Sequence, residues 1–171
     1  MKPSEREDWR YSLGKVNKID TEEEIMFSFL PDLKGLRLLD VGCGEGTIAS
    51  EIQNRGFDVH GVDFSTVAVK KARDRGVNAI EHDIDKGPMP FEDNFFDVIW
   101  ASDVIEHVFD PIFLLSEINR ILKKGGIFIL SVPNDFNIYS RAKIFLTGRA
   151  IQTDIYKELG QCKHHTFFSW D

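Results

Sequence analysis

Cysteine is nearly absent from this chain of 171 residues. Cys43 and Cys162 are too few for a disulfide framework and lack the paired spacing of a zinc site, so no metal centre is expected and a reduced, cytoplasmic protein is the default. No apolar run approaches the ~20 residues of a membrane span, and the opening MKPSEREDWR lacks the apolar centre of a secretory signal. Excess positive charge is missing as well: a net charge of −7 argues against a general nucleic-acid binder. There is no repeat, low-complexity tract or linker, so residues 1–171 read as one domain. One further absence concerns glycine. The dinucleotide fingerprint G-x-G-x-x-G fails, because Gly42 and Gly44 are followed by Thr47 where its third glycine would stand.

What the chain has instead is an alternation of strand and helix signals. Thr21 to Glu24 has the T-x-x-E form of a capping box and opens a helix carrying Ile25, Met26, Phe29 and Leu30, stopped by Pro31. Apolar strand runs follow at Arg37–Val41, Asp58–Val62, Ala79–His82, FFDVIWAS and IFILSV. Between them lie a helix around Ile48, Ala49 and Ile52 closed by Gly56, one capped by Ser65, and one begun by Asp110-Pro111. The last carries Leu114, Leu115, Ile118, Ile121 and Leu122 on one stripe and is ended by Gly125-Gly126. DKGPMPFEDN reads as a loop. Five near-continuous apolar strands alternating with helices predict an α/β fold: a doubly wound, Rossmann-like, mostly parallel sheet. Such sheets bind ligands at the carboxyl ends of their strands.

The polar residues fall on that rim. Asp40 lies near the end of strand one, Asp63 and Asp83 end strands two and three, and Ser102 and Asp103 follow strand four. Gly42, Gly44 and Gly46 let backbone approach a ligand closely. Asp63 stands 21 residues beyond Gly42, the offset at which a dinucleotide fold places an acid on ribose hydroxyls. Asp83 suits the exocyclic amine of adenine, with Phe64 and Ile84 on the two faces of the base. Asp40 would repel a pyrophosphate and favour a cationic ammonium group. Three acids and a glycine turn therefore describe a nucleoside ligand that need not carry phosphate.

At these residues the chain resembles a known family. LLDVGCGEG, VHGVDFS, AIEHDI, MPFEDNFFDVIWASDVIEHV and INRILKKGGIFILSVPN, in that order over about residues 36–134, are similar to class I S-adenosylmethionine-dependent methyltransferases, and most to the ubiquinone-biosynthesis O-methyltransferases. The resemblance implies S-adenosylmethionine as cofactor and S-adenosylhomocysteine as product. It implies that Asp40, Gly42, Cys43, Gly44 and Gly46 hold the methionine end, Asp63 the ribose, and Asp83 with Ile84 the adenine. Ala101 and Ser102 would lie against the methionine moiety. The implied domain has an N-terminal helical segment (1–35), a cofactor-binding core (36–134) and a lid or substrate-side segment (135–171).

Methyl transfer from a sulfonium is an in-line displacement needing a base only if the acceptor must lose a proton. His107 in DVIEHV is the candidate base, with Glu106 beside it. His60 and His82 read as structural, and Cys43 reads as a small turn residue rather than a nucleophile. His164-His165 lacks a third metal ligand. Arg141, Lys143 and Arg149, interleaved with Phe136, Tyr139 and Phe145, suit a wall for an anionic or aromatic acceptor; Trp9, Arg10 and Tyr11 suit a cover for the cleft. The family sheet has seven strands, and here strands six and seven read as missing, with HHTFFSWD as the approach to a helix capped by Ser169. Strand five would then be an apolar edge, covered by residues 135–165 or by a second copy in a homodimer. The expected activity is methylation of a small molecule, at oxygen in the first instance. Two alternatives stand beside it: a cofactor-holding module without turnover, and a nicotinamide-type oxidoreductase.

Overall fold

In a computed structural model, the structure describes residues 21–133 and 165–170. The elements are α1 (Thr21–Phe27), β1 (Arg37–Val41), α2 (Thr47–Asn54), β2 (Asp58–Asp63), α3 (Thr66–Asp74), β3 (Asn78–Glu81), β4 (Phe96–Ser102), α4 (Pro111–Ile121), β5 (Leu122–Pro133) and β6 (His165–Trp170). A single 3-10 turn, Ile84–Lys86, interrupts the connection from β3 to β4. The sheet order is β3-β2-β1-β4-β5-β6, and the first five strands pair in parallel. The order reverses direction at β1, where successive crossovers go to opposite sides. Ligands of doubly wound sheets lie at that point, beyond the carboxyl ends.

Two helices begin at a side-chain cap. The Ser65 hydroxyl accepts from Ala68 N–H at 3.1 Å to start α3. The Asp110 carboxylate accepts from Phe113 N–H at 2.9 Å, one residue ahead of Pro111 at the start of α4. Ile48 and Ile52 of α2 and Ala68, Val69 and Ala72 of α3 turn toward the sheet, which is apolar on both faces. Leu38, Val59, Val98, Trp100 and Ile129 fill one side with Met26 and Phe27 of α1; Leu39, Val41, Val62, Ile99 and Ala101 fill the other with Leu114, Ile118 and Ile121 of α4. Burial of both faces is what makes the strands read as continuous apolar runs.

Helix α1 ends at Phe27, leaving Phe29 and Leu30 in a turn before Pro31 where the sequence reading had them helical, and β2 and β3 differ from that reading by one residue; two further boundaries differ more. The fourth helix stops at Ile121 rather than at the glycine pair: Leu122 already pairs with Phe96, and the register resumes only at Val98 with Ile127. Residues 123–126 are thus an irregularity within the strand, where Gly126 packs so closely that a Cβ would lie 2.9 Å from the Asp97 carbonyl oxygen. The second difference is at the far edge. HHTFFSWD does not begin a helix capped by Ser169; His165–Trp170 is a strand antiparallel to β5, running from His165 opposite Pro133 to Trp170 opposite Phe128. A Thr-Phe-Phe-Ser-Trp run has strand-forming rather than helix-forming side chains, and β5 offers it an unpaired edge. That edge, which the sequence reading left to residues 135–165 or to a second subunit, is occupied by β6. Trp9, Arg10, Tyr11, Cys162 and the basic-aromatic segment 136–150 lie outside the described residues.

Candidate functional site

The turn after β1 is built to bring backbone close to whatever lies on the rim. Gly42, Gly44 and Gly46 have φ of 72°, 53° and 76°, a left-handed conformation that other residues adopt only under strain. Gly42 and Cys43 donate their N–H groups to the Val62 carbonyl at 2.8 and 3.0 Å, which holds the turn against β2. The three glycines serve different ends. Gly42 is exposed, yet a Cβ there would meet Val104 Cγ2 at 2.6 Å, so its absence lets the loop after β4 close on the turn. Gly44 is buried and donates its N–H to Asp63 Oδ2 at 2.9 Å. Gly46 belongs to the packing: a Cβ there would meet the Cα of Ala72 on α3 at 2.9 Å. The side-chain position of Gly46 faces α3, which leaves only its backbone for the ligand-holding role expected of it.

Asp63 is 5% exposed and knits this region together. One carboxylate oxygen accepts from Gly44 N–H, the other from Ser65 N–H at 2.8 Å, and its carbonyl accepts from His82 N–H at 2.9 Å. Each carboxylate oxygen offers two lone pairs, so a carboxylate can accept more bonds than these two N–H groups supply. Asp40, 3% exposed, is the second acid here. Burial, then the neighbouring Asp63 charge, pushes its carboxyl well above the ordinary carboxylate range, and no hydrogen bond among the described residues offsets this. An acid so placed gains from any cation brought beside it. Cys43 packs its sulfur where a Cβ on Gly61 would stand, 2.7 Å away. Burial, with Asp40 and Asp63 adding, holds its thiol far above the ordinary thiol range, in keeping with a turn residue and not a nucleophile.

The third acid sits differently. Asp83 caps the 3-10 turn, accepting from Asp85 N–H at 3.2 Å, and pairs with Lys86 at 2.6 Å on a half-open surface. That hydrogen bond also raises the Lys86 ammonium. Phe64, next to Asp63, and Ile84, next to Asp83, are both half-buried, Ile84 against the core that Val62 and Ile80 help to form. Asp85 reaches across to accept the Phe109 N–H at 2.8 Å, joining this turn to the loop after β4. Behind them, Glu117 accepts from Met89 N–H at 2.9 Å and from Arg120 at 2.7 Å, which fixes the long loop into β4.

At the end of β4, Ala101 and Ser102 point to opposite sides. Ala101 is fully buried in the core, so only its backbone is available at the rim. The Ser102 hydroxyl lies 2.9 Å from that of Ser131 on β5, and Ser131 donates to Asp103 Oδ1 at 3.4 Å. Asp103 has φ of 55°, a left-handed conformation unusual for a residue with a side chain. His107 lies four residues on, with its side chain 60% exposed and its ring nitrogen 3.9 Å from Glu106. Of the two histidines read as structural, His60 meets Phe91, Phe95 and Phe96 edge-on, and His82 lies 3.2 Å from the Gly87 carbonyl. Among the described residues no group of three or more His, Cys, Asp or Glu side chains is arranged to hold a metal ion. No helix among them is long and apolar enough to cross a membrane.

Sequence reasoning missed Ser131 and Glu45. Ser131 had a signal, a lone hydroxyl in the apolar run IFILSV at the same strand position as Ser102 in FFDVIWAS. Glu45, 4% exposed within the glycine turn, takes its partners Lys71 and Arg75 from a helix more than 20 residues on, which no local pattern announces.

Comparison with known proteins gives this geometry relatives. Residues 39–130 match a family model described as a methyltransferase domain. The chain is 33% identical over 113 residues to a ubiquinone biosynthesis O-methyltransferase of Alkalilimnicola ehrlichii, covering 61% of this chain and 44% of that protein. Among solved structures, an S-adenosylmethionine-dependent methyltransferase from Mesorhizobium loti matches with a TM-score of 0.60 and 28% identity, over 66% of this chain and 53% of that one. A Haemonchus contortus phosphoethanolamine N-methyltransferase, solved with phosphomonomethylethanolamine and S-adenosylhomocysteine, matches with a TM-score of 0.60 and 28% identity, over 72% of this chain and 32% of that one. The chain spans about half the length of the curated relatives it matches.

Proposed function

Because the chain belongs to the methyltransferase domain family, we propose that it is an S-adenosylmethionine-dependent methyltransferase moving a methyl group to a small-molecule acceptor, at oxygen, by in-line displacement. The observation that carries this reading is the pair of buried acids, Asp40 and Asp63, beside a left-handed glycine turn. A pyrophosphate would be repelled there, whereas a zwitterion with a cationic ammonium group and a ribose with two hydroxyls would be matched. The chemical fit supports the assignment of the cofactor.

When bound, S-adenosylmethionine supplies a methyl group already activated on a sulfonium, so the protein's share is positioning and exclusion of water. In this reading Asp40 faces the ammonium group, and the exposed Gly42 backbone lies along the methionine portion. Asp63 keeps Gly44 and Ser65 in place through two N–H groups while accepting ribose hydroxyls with its remaining lone pairs. Asp83 exchanges its exposed partner Lys86 for the adenine amine; an exposed ion pair of this sort is worth about 0–1 kcal/mol, so the exchange is cheap. Phe64 and Ile84 flank the base, and Ser102 with the Ala101 backbone borders the reacting end. His107 takes the acceptor's proton where one must leave. Oxygen as the acceptor atom follows the names of the curated relatives.

The test is calorimetry with S-adenosylhomocysteine followed by a methyl-donor assay over phenolic, alcohol and amine acceptors. Micromolar binding and label transfer to a hydroxyl support the reading. Binding of NAD in place of S-adenosylhomocysteine would sink it. A second reading, cofactor capture without turnover, is favoured by the exposure of His107, and tight binding with no transfer across the panel would establish it.

A further inference from the structure

Three glycines at alternate positions leave residues 42–46 with less intrinsic order than any ordinary turn, since glycine loses the most conformational freedom on folding. Two side chains within the turn counter this. Cys43 is anchored over Gly61. Glu45 is anchored on α3: its Oε1 accepts from Lys71 Nζ at 3.0 Å and its Oε2 from Arg75 Nη2 at 3.4 Å. Arg75 also donates to the Thr47 hydroxyl at 2.7 Å, gripping the first residue of α2. The two cations stand four residues apart, Lys71 in the last turn of α3 and Arg75 at its C-cap, and their side chains are about a third exposed while that of Glu45 is nearly sealed.

These contacts close a ring. The Gly44 N–H binds Asp63, Asp63 binds the Ser65 N–H, Ser65 caps α3, and α3 returns through Lys71 and Arg75 to Glu45, the neighbour of Gly44. A buried carboxylate with two cationic partners cannot be left in place once they go, because an unpaired buried charge is strongly unfavourable. The ring therefore stands or loosens as a unit. We propose that Glu45 is a positioning residue for the cofactor: it makes no contact with ligand itself but, through α3, holds the glycine turn and Asp63 in the geometry that receives it. This rests on the methyltransferase reading. It places the affinity of the site partly in a side chain that faces away from it, as preorganisation and not as contact.

The experiment uses the full chain, with calorimetry against S-adenosylhomocysteine and the amide NMR resonance of Gly44 as a second readout. Glu45→Gln is expected to raise the dissociation constant about tenfold. The Gly44 resonance moves upfield as its bond to Asp63 lengthens, and the double variant Glu45→Gln/Lys71→Met is no weaker than Glu45→Gln alone. A dissociation constant within about twofold of the parent would overturn the proposal. So would a lowered melting temperature with the Gly44 resonance unmoved, the mark of a purely structural ion pair. Should Glu45→Gln fail to fold, Lys71→Met and Arg75→Met from the exposed side of the network carry the same test. Failure of the parent chain to bind S-adenosylhomocysteine overturns the methyltransferase reading itself, an outcome distinct from parent binding that the variants leave unchanged.

Discussion

The two halves of the rim are built on opposite plans. Around the turn after β1, Asp40, Cys43, Glu45 and Asp63 are all less than a tenth exposed, the Asp63 carboxylate accepts from Gly44 and Ser65 N–H, and Glu45 is paired with Lys71 and Arg75. Along the loop after β4 and the start of α4, His107 is 60% exposed, Phe109 93% and Ile112 76%. The Phe109 N–H to Asp85 bond spans the gap between the loop and the turn at Asp83. The first half is a socket tied together by its own hydrogen bonds and ion pairs. The second presents chemistry and apolar surface to solvent. A fixed cofactor and a variable acceptor call for that division, because function resides in the site and one fold serves many acceptors.

The comparison breaks most readily at Asp63. Asp63→Ala strands two buried N–H groups and removes the ribose acceptor together, so S-adenosylhomocysteine affinity should fall by about a hundredfold or more. Calorimetry showing less than a tenfold loss would mean that the socket is not built around this acid. Gly46→Ala tests the socket's packing. Its Cβ has no room against the α3 backbone and its φ is left-handed, so a loss of about 2–4 kcal/mol is expected from urea unfolding. A neutral result would show that α3 can retreat.

Asp40 sharpens the contrast, because there stability and binding should move in opposite directions. Its folded carboxyl holds a proton that the unfolded chain releases near pH 4, so the folded state binds more protons above that point and stability declines as pH rises toward the raised folded value. Asp40→Asn should remove that slope and raise the melting temperature of the free protein at neutral pH. It should also weaken S-adenosylhomocysteine binding about tenfold, through loss of the charge that meets the ammonium group. A variant no more stable at neutral pH than the parent would show that Asp40 is already compensated. The smallest effect belongs to the open half: His107→Ala should leave stability within about 0.5 kcal/mol and affinity within about twofold. A methyl-donor assay then separates a base, whose removal slows transfer, from a bystander.

The socket was legible in the sequence because its parts are local. An acid at the end of an apolar strand is conspicuous, and so is a glycine turn ahead of a helix; Asp40, Asp63, Asp83 and the caps Ser65 and Asp110 all stand where the alternation put them. What escaped was pairwise and distant. Glu45 meets Lys71 and Arg75 only after α3 has folded back, and nothing in the chain names Ala72 as the neighbour of Gly46. The division of labour within the turn is a property of packing. The strand at His165–Trp170 escaped for a related reason: its conformation is decided by a vacant edge on β5, which no reading of six residues supplies.

That strand has a consequence for how such a molecule can change over generations. Because His165 stands opposite Pro133, the chain leaves the sheet and re-enters it at facing residues on the rim that holds the socket. Closing a longer excursion between two such fixed points costs only about 0.6 kcal/mol for each doubling of its length. Segments of quite different size and composition can therefore be exchanged there while β5, β6 and the cofactor socket keep their register. The antiparallel pair thus sets two fixed points at one edge of the sheet, between which sequence can vary without disturbing the strands on either side.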